Sequence, residues 1–150
     1  MQTIDQTLQE RVWQRVAGSI PTADPSQLLA LIAGEWTDAV AYRQLSRQYK
    51  GKQATLLGQV FRQKQAQIAC LKGIYYILTG HPAFVKPSPL PRLRPEDTLR
   101  RSYQRQIQRL EAYRQWSRHP EFGAVFEKLC FQIEAHCGIL LELLGKNSAT

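Results

Sequence analysis

A chain of 150 residues with 43% apolar and 21% charged residues fits a single domain able to bury its own core. That excludes a disordered tail, and three cysteines are too few for a disulfide-stapled miniprotein. Twenty Lys and Arg against twelve Asp and Glu give a net charge of +8, which admits nucleic acid, acidic partners or an anionic surface without choosing among them. Cys70, Cys130 and Cys137 lie in apolar stretches with no C-x-x-C spacing, so a reducing, cytoplasmic compartment is expected. Asp5 and Glu10 stand early and no apolar h-region follows, so no signal peptide is expected. No apolar run is long enough to cross a bilayer, and membrane contact is not expected either.

Glycine and proline punctuate the chain, and between them apolar residues return at intervals of three and four, which predicts an all-α protein. Residues 1–20 hold a short amphipathic helix at about 4–16, followed by the turn Gly18-Ser19-Ile20-Pro21-Thr22. The main domain is residues 21–150. Asp24 is placed to cap a helix with Pro25 at its first position, where a missing N–H is harmless. This first long helix is expected to reach about residue 49 and stop at Lys50-Gly51-Lys52. A second runs over about 53–78 and closes at Gly80. Pro82, Pro87, Pro89, Pro91 and Pro95 then forbid helix and predict a stiff extended crossover at about 80–95. A third helix at about 96–118, a turn at His119-Pro120, and a fourth at about 121–144 stopped by Gly145 complete the set.

Helices joined short, long, short describe two helical hairpins linked by a crossover that travels the length of a four-helix bundle. An internal repeat supports the duplication: Ala41-Tyr42-Arg43-Gln44-Leu45-Ser46 returns 71 residues later as Ala112-Tyr113-Arg114-Gln115-Trp116-Ser117, identical at five of six positions. Each long helix carries an apolar seam that turns polar near its middle, at Glu35, Lys64, Gln67, Gln106 and His136, with Ile133 beside the last. The hairpin topology brings these six positions to one layer, and a buried polar layer is costly unless its members satisfy one another.

Leu31-Ile32-Ala33-Gly34-Glu35-Trp36, Ala69-Cys70-Leu71-Lys72-Gly73-Ile74-Tyr75-Tyr76 and Glu134-Ala135-His136-Cys137 resemble the rubrerythrin-like branch of the ferritin superfamily. The resemblance implies a ferritin-like four-helix bundle. In that family each hairpin supplies a glutamate from its first helix and a Glu-x-x-His from its second, and together they hold two iron or manganese ions. Carried onto this chain, the ligand positions are Glu35, Lys64 and Gln67 in the first hairpin and Gln106, Ile133 and His136 in the second. Only Glu35 and His136 keep metal-binding chemistry.

Lysine carries a positive charge, isoleucine offers no donor, and glutamine brings no charge to offset a dication's desolvation, so the dimetal site reads as degenerate and no cofactor is expected. Lys64 is expected to point its ammonium at Glu35, with Gln67, Gln106 and His136 completing a hydrogen-bonded layer. The competing arrangement has Lys64 snorkelling to the surface. Residues 43–118 hold 16 Lys and Arg against 3 Asp and Glu, and Arg101, Arg105 and Arg109 recur at every fourth position of the third helix. That stripe is either a solvated face or an anion-binding strip for nucleic-acid phosphates. Three functions follow. The first is a non-catalytic interaction or assembly protein, as a homodimer or beside a related ferritin-like chain. The second is a rubrerythrin-like oxidoreductase, reducing peroxide or oxidising iron, with an atypical iron or manganese site at Glu35 and His136. The third is a weak nucleic-acid binder through the arginine stripe.

Overall fold

Asp24 accepts a hydrogen bond from the Ser26 backbone N–H at 3.0 Å and Pro25 occupies the first turn, so α1 (Pro25–Gln48) begins as its sequence dictates. The computed structural model describes residues 24–148, and the helix expected at residues 4–16 lies outside them. α1 is followed by α2 (Gly51–Thr79), α3 (Pro95–Trp116) and α4 (Gly123–Ser148), with no strand among the described residues. Gly51 and Gly80 bracket α2 with φ of +64° and +74°, the left-handed region in which a Cβ is strained.

α1 pairs with α2 and α3 with α4, while α1 also lies beside α3 and α2 beside α4. Polar contacts fix the directions. Glu35 meets Arg109 and Tyr42 meets Gln106, so α1 and α3 run oppositely. Gln67 meets Gln132 and Gln63 meets His136, so α2 and α4 do the same. The four helices therefore run up, down, down and up, and the second hairpin starts at the end opposite to where the first finishes. Residues 81–94 span that distance without helix or strand, as their prolines require. Midway, the Ser88 N–H donates to Thr37 Oγ1 at 2.9 Å, and Thr37 donates onward to the Ala33 carbonyl at 2.8 Å, which ties the crossover to α1.

Several boundaries differ from the sequence expectation: α2 takes in Gly51 and Lys52, expected as part of a turn, and α3 ends at Trp116 rather than 118. α4 starts at Gly123 rather than 121, because His119 Nδ1 accepts from the Glu121 and Phe122 N–H groups at 3.1 and 3.2 Å and holds 117–122 as turns. The His119 ring also stacks on Trp116, with centroids 5.7 Å apart. Gly145 does not stop α4, which continues to Ser148. A glycine inside a helix costs only about 1 kcal/mol, and buried Leu143 with the Glu142–Lys146 pair at 3.5 Å carries the helix through.

The core has two apolar clusters. Leu28, Ile32, Leu71, Ile74, Tyr113, Trp116 and Phe126 pack in the first, at the end where the α3–α4 turn lies. Tyr42, Leu45, Leu57, Val60, Leu99, Leu140 and Leu143 pack in the second, at the α1–α2 turn. A buried polar layer of Glu35, Asp38, Lys64, Gln67, Gln106 and His136 lies along the same inner faces. Cys70, Cys130 and Cys137 are not disulfide-bonded, and no helix among the described residues is long and apolar enough to cross a membrane.

Candidate functional site

Glu35 and Asp38 lie one turn apart on the inward face of α1, where an ionised carboxylate needs partners, and both are fully buried. α2 supplies Lys64, also fully buried, with Nζ 2.7 Å from Glu35 Oε2. α3 supplies Arg109, whose Nε lies 2.9 Å from Glu35 Oε1 and whose Nη2 hydrogen-bonds Asp38 Oδ2. Arg105, one turn earlier on α3, donates Nε at 2.9 Å to Asp38 Oδ1, with Nη2 2.7 Å from the same oxygen. Two carboxylates thus face three fixed cations. Gly34 leaves room for this arrangement, since a Cβ there would stand 3.0 Å from Arg109 Cδ and 3.1 Å from its Nη1. Burial disfavours the charged form of Glu35, but the Lys64 ammonium and Arg109 guanidinium outweigh it and hold its carboxyl at a pKa of about 2.

The other half of the layer is neutral. Gln106 Nε2 donates to Tyr42 OH at 2.6 Å and to the Ser102 carbonyl at 3.3 Å. Gln67 Nε2 donates to Gln132 Oε1 at 3.0 Å, and His136 Nε2 stands 2.6 Å from Gln63 Oε1, an acceptor that places the ring proton on Nε2. Burial, reinforced by the nearby Lys64 charge, pushes His136 down to a pKa of about 3, so it is neutral. These contacts repeat the internal duplication. Gln63 and Gln132 are separated by the same 69 residues as Gln67 and His136, and as Lys64 and Ile133. Tyr42 sits at Gln106, while Tyr113, its counterpart in the repeat, sits at Glu35, where burial and then that carboxylate raise its pKa well above the ordinary value. Where one half has a carboxylate it has a cation, Glu35 with Lys64; where the other has an amide, Gln106, it has the apolar Ile133.

This layer does not fit a dimetal centre. Both Glu35 oxygens are held by cations, and both Asp38 oxygens by arginines. Among the described residues the buried lone pairs with no protein partner, on His136 Nδ1, Gln67 Oε1, Gln106 Oε1 and the Tyr113 hydroxyl, are all on neutral groups. Iron and manganese ions in such a bundle need carboxylate charge to offset their own. Among the described residues no three His, Cys, Asp or Glu side chains come together as a ligand set.

Lys64 and Glu35 meet as their spacing predicts. The amides and His136 do not satisfy one another, however: they turn to Tyr42, Gln63 and Gln132. The arginine stripe is also corrected. Arg101 is exposed, but Arg105 and Arg109 turn inward to Asp38 and Glu35, because two buried carboxylates attract them more strongly than solvent does, and they do not form an outward anion site. Asp38 was missed, although its place three residues after Glu35 puts it on the same helix face. No family model matches the chain, and neither does any curated protein or solved structure.

Proposed function

We propose that this chain is a ferritin-like bundle in which fixed cations have replaced a dimetal centre, and that it acts as a non-catalytic interaction or assembly protein of the cytoplasm. The observation that carries this reading is the clamping of Glu35 from both sides by Lys64 and Arg109. A carboxylate committed to two buried cations neither binds an ion nor moves a proton near neutral pH. The run of two hairpins joined by a long crossover supports the ferritin-like assignment. Ile77, Phe84 and Phe131 are 63%, 86% and 74% exposed, and a second copy or a related ferritin-like chain would cover such residues.

Metal analysis of protein purified without chelator, combined with sedimentation at micromolar concentration, tests this. The expected result is iron and manganese far below one ion per chain and a species larger than the monomer. Two ions per chain with peroxide-dependent turnover would instead establish the oxidoreductase reading, with Glu35 and His136 as ligands.

A further inference from the structure

α1 and α2 line an apolar groove of about 380 Å³ whose walls include Trp36, Val40, Phe61 and Ala69. Val40 and Ala69 are exposed, so the groove opens outward from the bundle. A cation stands at each end: Lys72 Nζ lies 5.0 Å from the centre of the Trp36 ring, and the Arg43 guanidinium 5.9 Å from that of Phe61. Trp36 and Arg43 are seven residues apart on α1, which sets the two charges about 10 Å apart along the helix. Two such grooves placed face to face would set cation against cation, so the groove is not its own complement.

The outward face of α4 is that complement. Glu127, Phe131 and Glu134 follow one another at steps of four and three and are all exposed, Phe131 at 74%, so an aromatic ring stands between two carboxylates. These carboxylates are also seven residues apart, again about 10 Å along the helix. Glu134 is engaged by Arg114 at 3.6 Å, an exposed pair that is worth little and is readily exchanged. Leu129, His136 and Leu140 are buried on the opposite side of α4, so this stripe faces away from the core and no chain can dock it into its own groove.

We propose that the α4 stripe of one chain docks in the α1–α2 groove of a second copy, with Phe131 between the walls and Glu127 and Glu134 on the two cations. This rests on the assembly reading above and names the surfaces that carry it. The contact is heterologous: a joined pair still offers one free groove and one free stripe, so the assembly grows into a ring or a filament and does not stop at a twofold dimer. The apolar contact supplies the affinity, while the matched charges fix the register and make it sensitive to salt.

Two variants of the full chain test it. Arg43→Glu with Lys72→Glu spoils the groove and keeps the stripe, whereas Phe131→Asp spoils the stripe and keeps the groove. In sedimentation at a micromolar concentration where the parent assembles, each variant alone should run as a monomer. Their equimolar mixture should form a one-to-one dimer that grows no further as concentration rises. Should the double reversal unfold the chain, Arg43→Gln with Lys72→Gln removes the same charges and gives the same test. A parent that stays monomeric would overturn this proposal and the assembly reading together. A parent that assembles beside folded variants that also assemble would overturn the proposal and leave the assembly reading standing. Monomeric variants whose mixture stays monomeric would also overturn it, in favour of a contact between like surfaces.

Discussion

Lys64 Nζ and Glu35 Oε2 stand 2.7 Å apart with both side chains fully buried, an ion pair that joins α1 to α2 in the middle of the bundle. Taking both ions out of water costs several kcal/mol each, and their attraction together with the Arg109 hydrogen bond offsets it. Lys64→Met should therefore destabilise the fold by about 3 to 5 kcal/mol in urea unfolding, because Glu35 loses one of its two cations. Combining it with Glu35→Gln should recover most of that loss. If the two single losses simply add in the double variant, the pair is not coupled.

Acid should weaken the protein in two overlapping windows. An unfolded histidine titrates near 6.5, whereas His136 in the fold is held at about 3, so between these values the unfolded chain binds a proton that the folded chain refuses. Stability then falls as the pH falls, by about 2 kcal/mol between pH 7 and 5. Glu35, held at about 2 against its ordinary 4.5, contributes stability that is complete above 4.5 and is lost as the pH drops toward 2. Urea midpoints measured from pH 7 to 5 lie above the Glu35 window. They should decline in the parent protein and stay nearly flat in His136→Gln.

The helices and the crossover were legible because proline, glycine and apolar spacing act locally. Glu35 and Lys64 were legible as polar interruptions of apolar seams, and each stands on its seam. Arg105 and Arg109 were not. A run of arginines at every fourth position on α3 has the same pattern whether it faces solvent or a buried carboxylate, and only the packing of α1 beside α3 decides which. Long guanidinium stems also let a residue at the edge of the seam reach the core. The partners Gln63 and Gln132 escaped for a related reason. Gln63 is an exposed residue by sequence and by position, yet its amide turns inward to His136.

Gly34 offers a test of the Arg109 clamp that touches no charge. In an α-helix, glycine to alanine should gain up to about 1 kcal/mol from propensity alone. Here the added Cβ would meet Arg109 Cδ at 3.0 Å and Nη1 at 3.1 Å, so the arginine must give by a few tenths of an ångström, which strains its hydrogen bonds to Glu35 and Asp38. Gly34→Ala should therefore lower stability by about 1 kcal/mol, since the charged hydrogen bonds from Arg109 to the two carboxylates are weakened. In an Arg109→Ala background the same change should stabilise. A gain from Gly34→Ala in the parent protein would show that Arg109 moves aside without cost.

On the proposed ferritin-like reading, building a metal site in this layer requires more than exchanging four positions. Lys64→Glu, Gln67→His, Gln106→Glu and Ile133→Glu would create two Glu-x-x-His pairs and a glutamate on α3. Arg109 would still hold Glu35 Oε1 at 2.9 Å, and a guanidinium in that place both occupies a ligand oxygen and repels a dication. Adding Arg109→Ala frees that oxygen and removes the charge. Calorimetric titration with manganese(II) should therefore find two ions bound per chain in the fivefold variant and at least tenfold weaker binding in the fourfold one. Equal affinity in the two would mean that Arg109 swings clear of Glu35 once a metal ion arrives, and that Lys64 alone guards the layer.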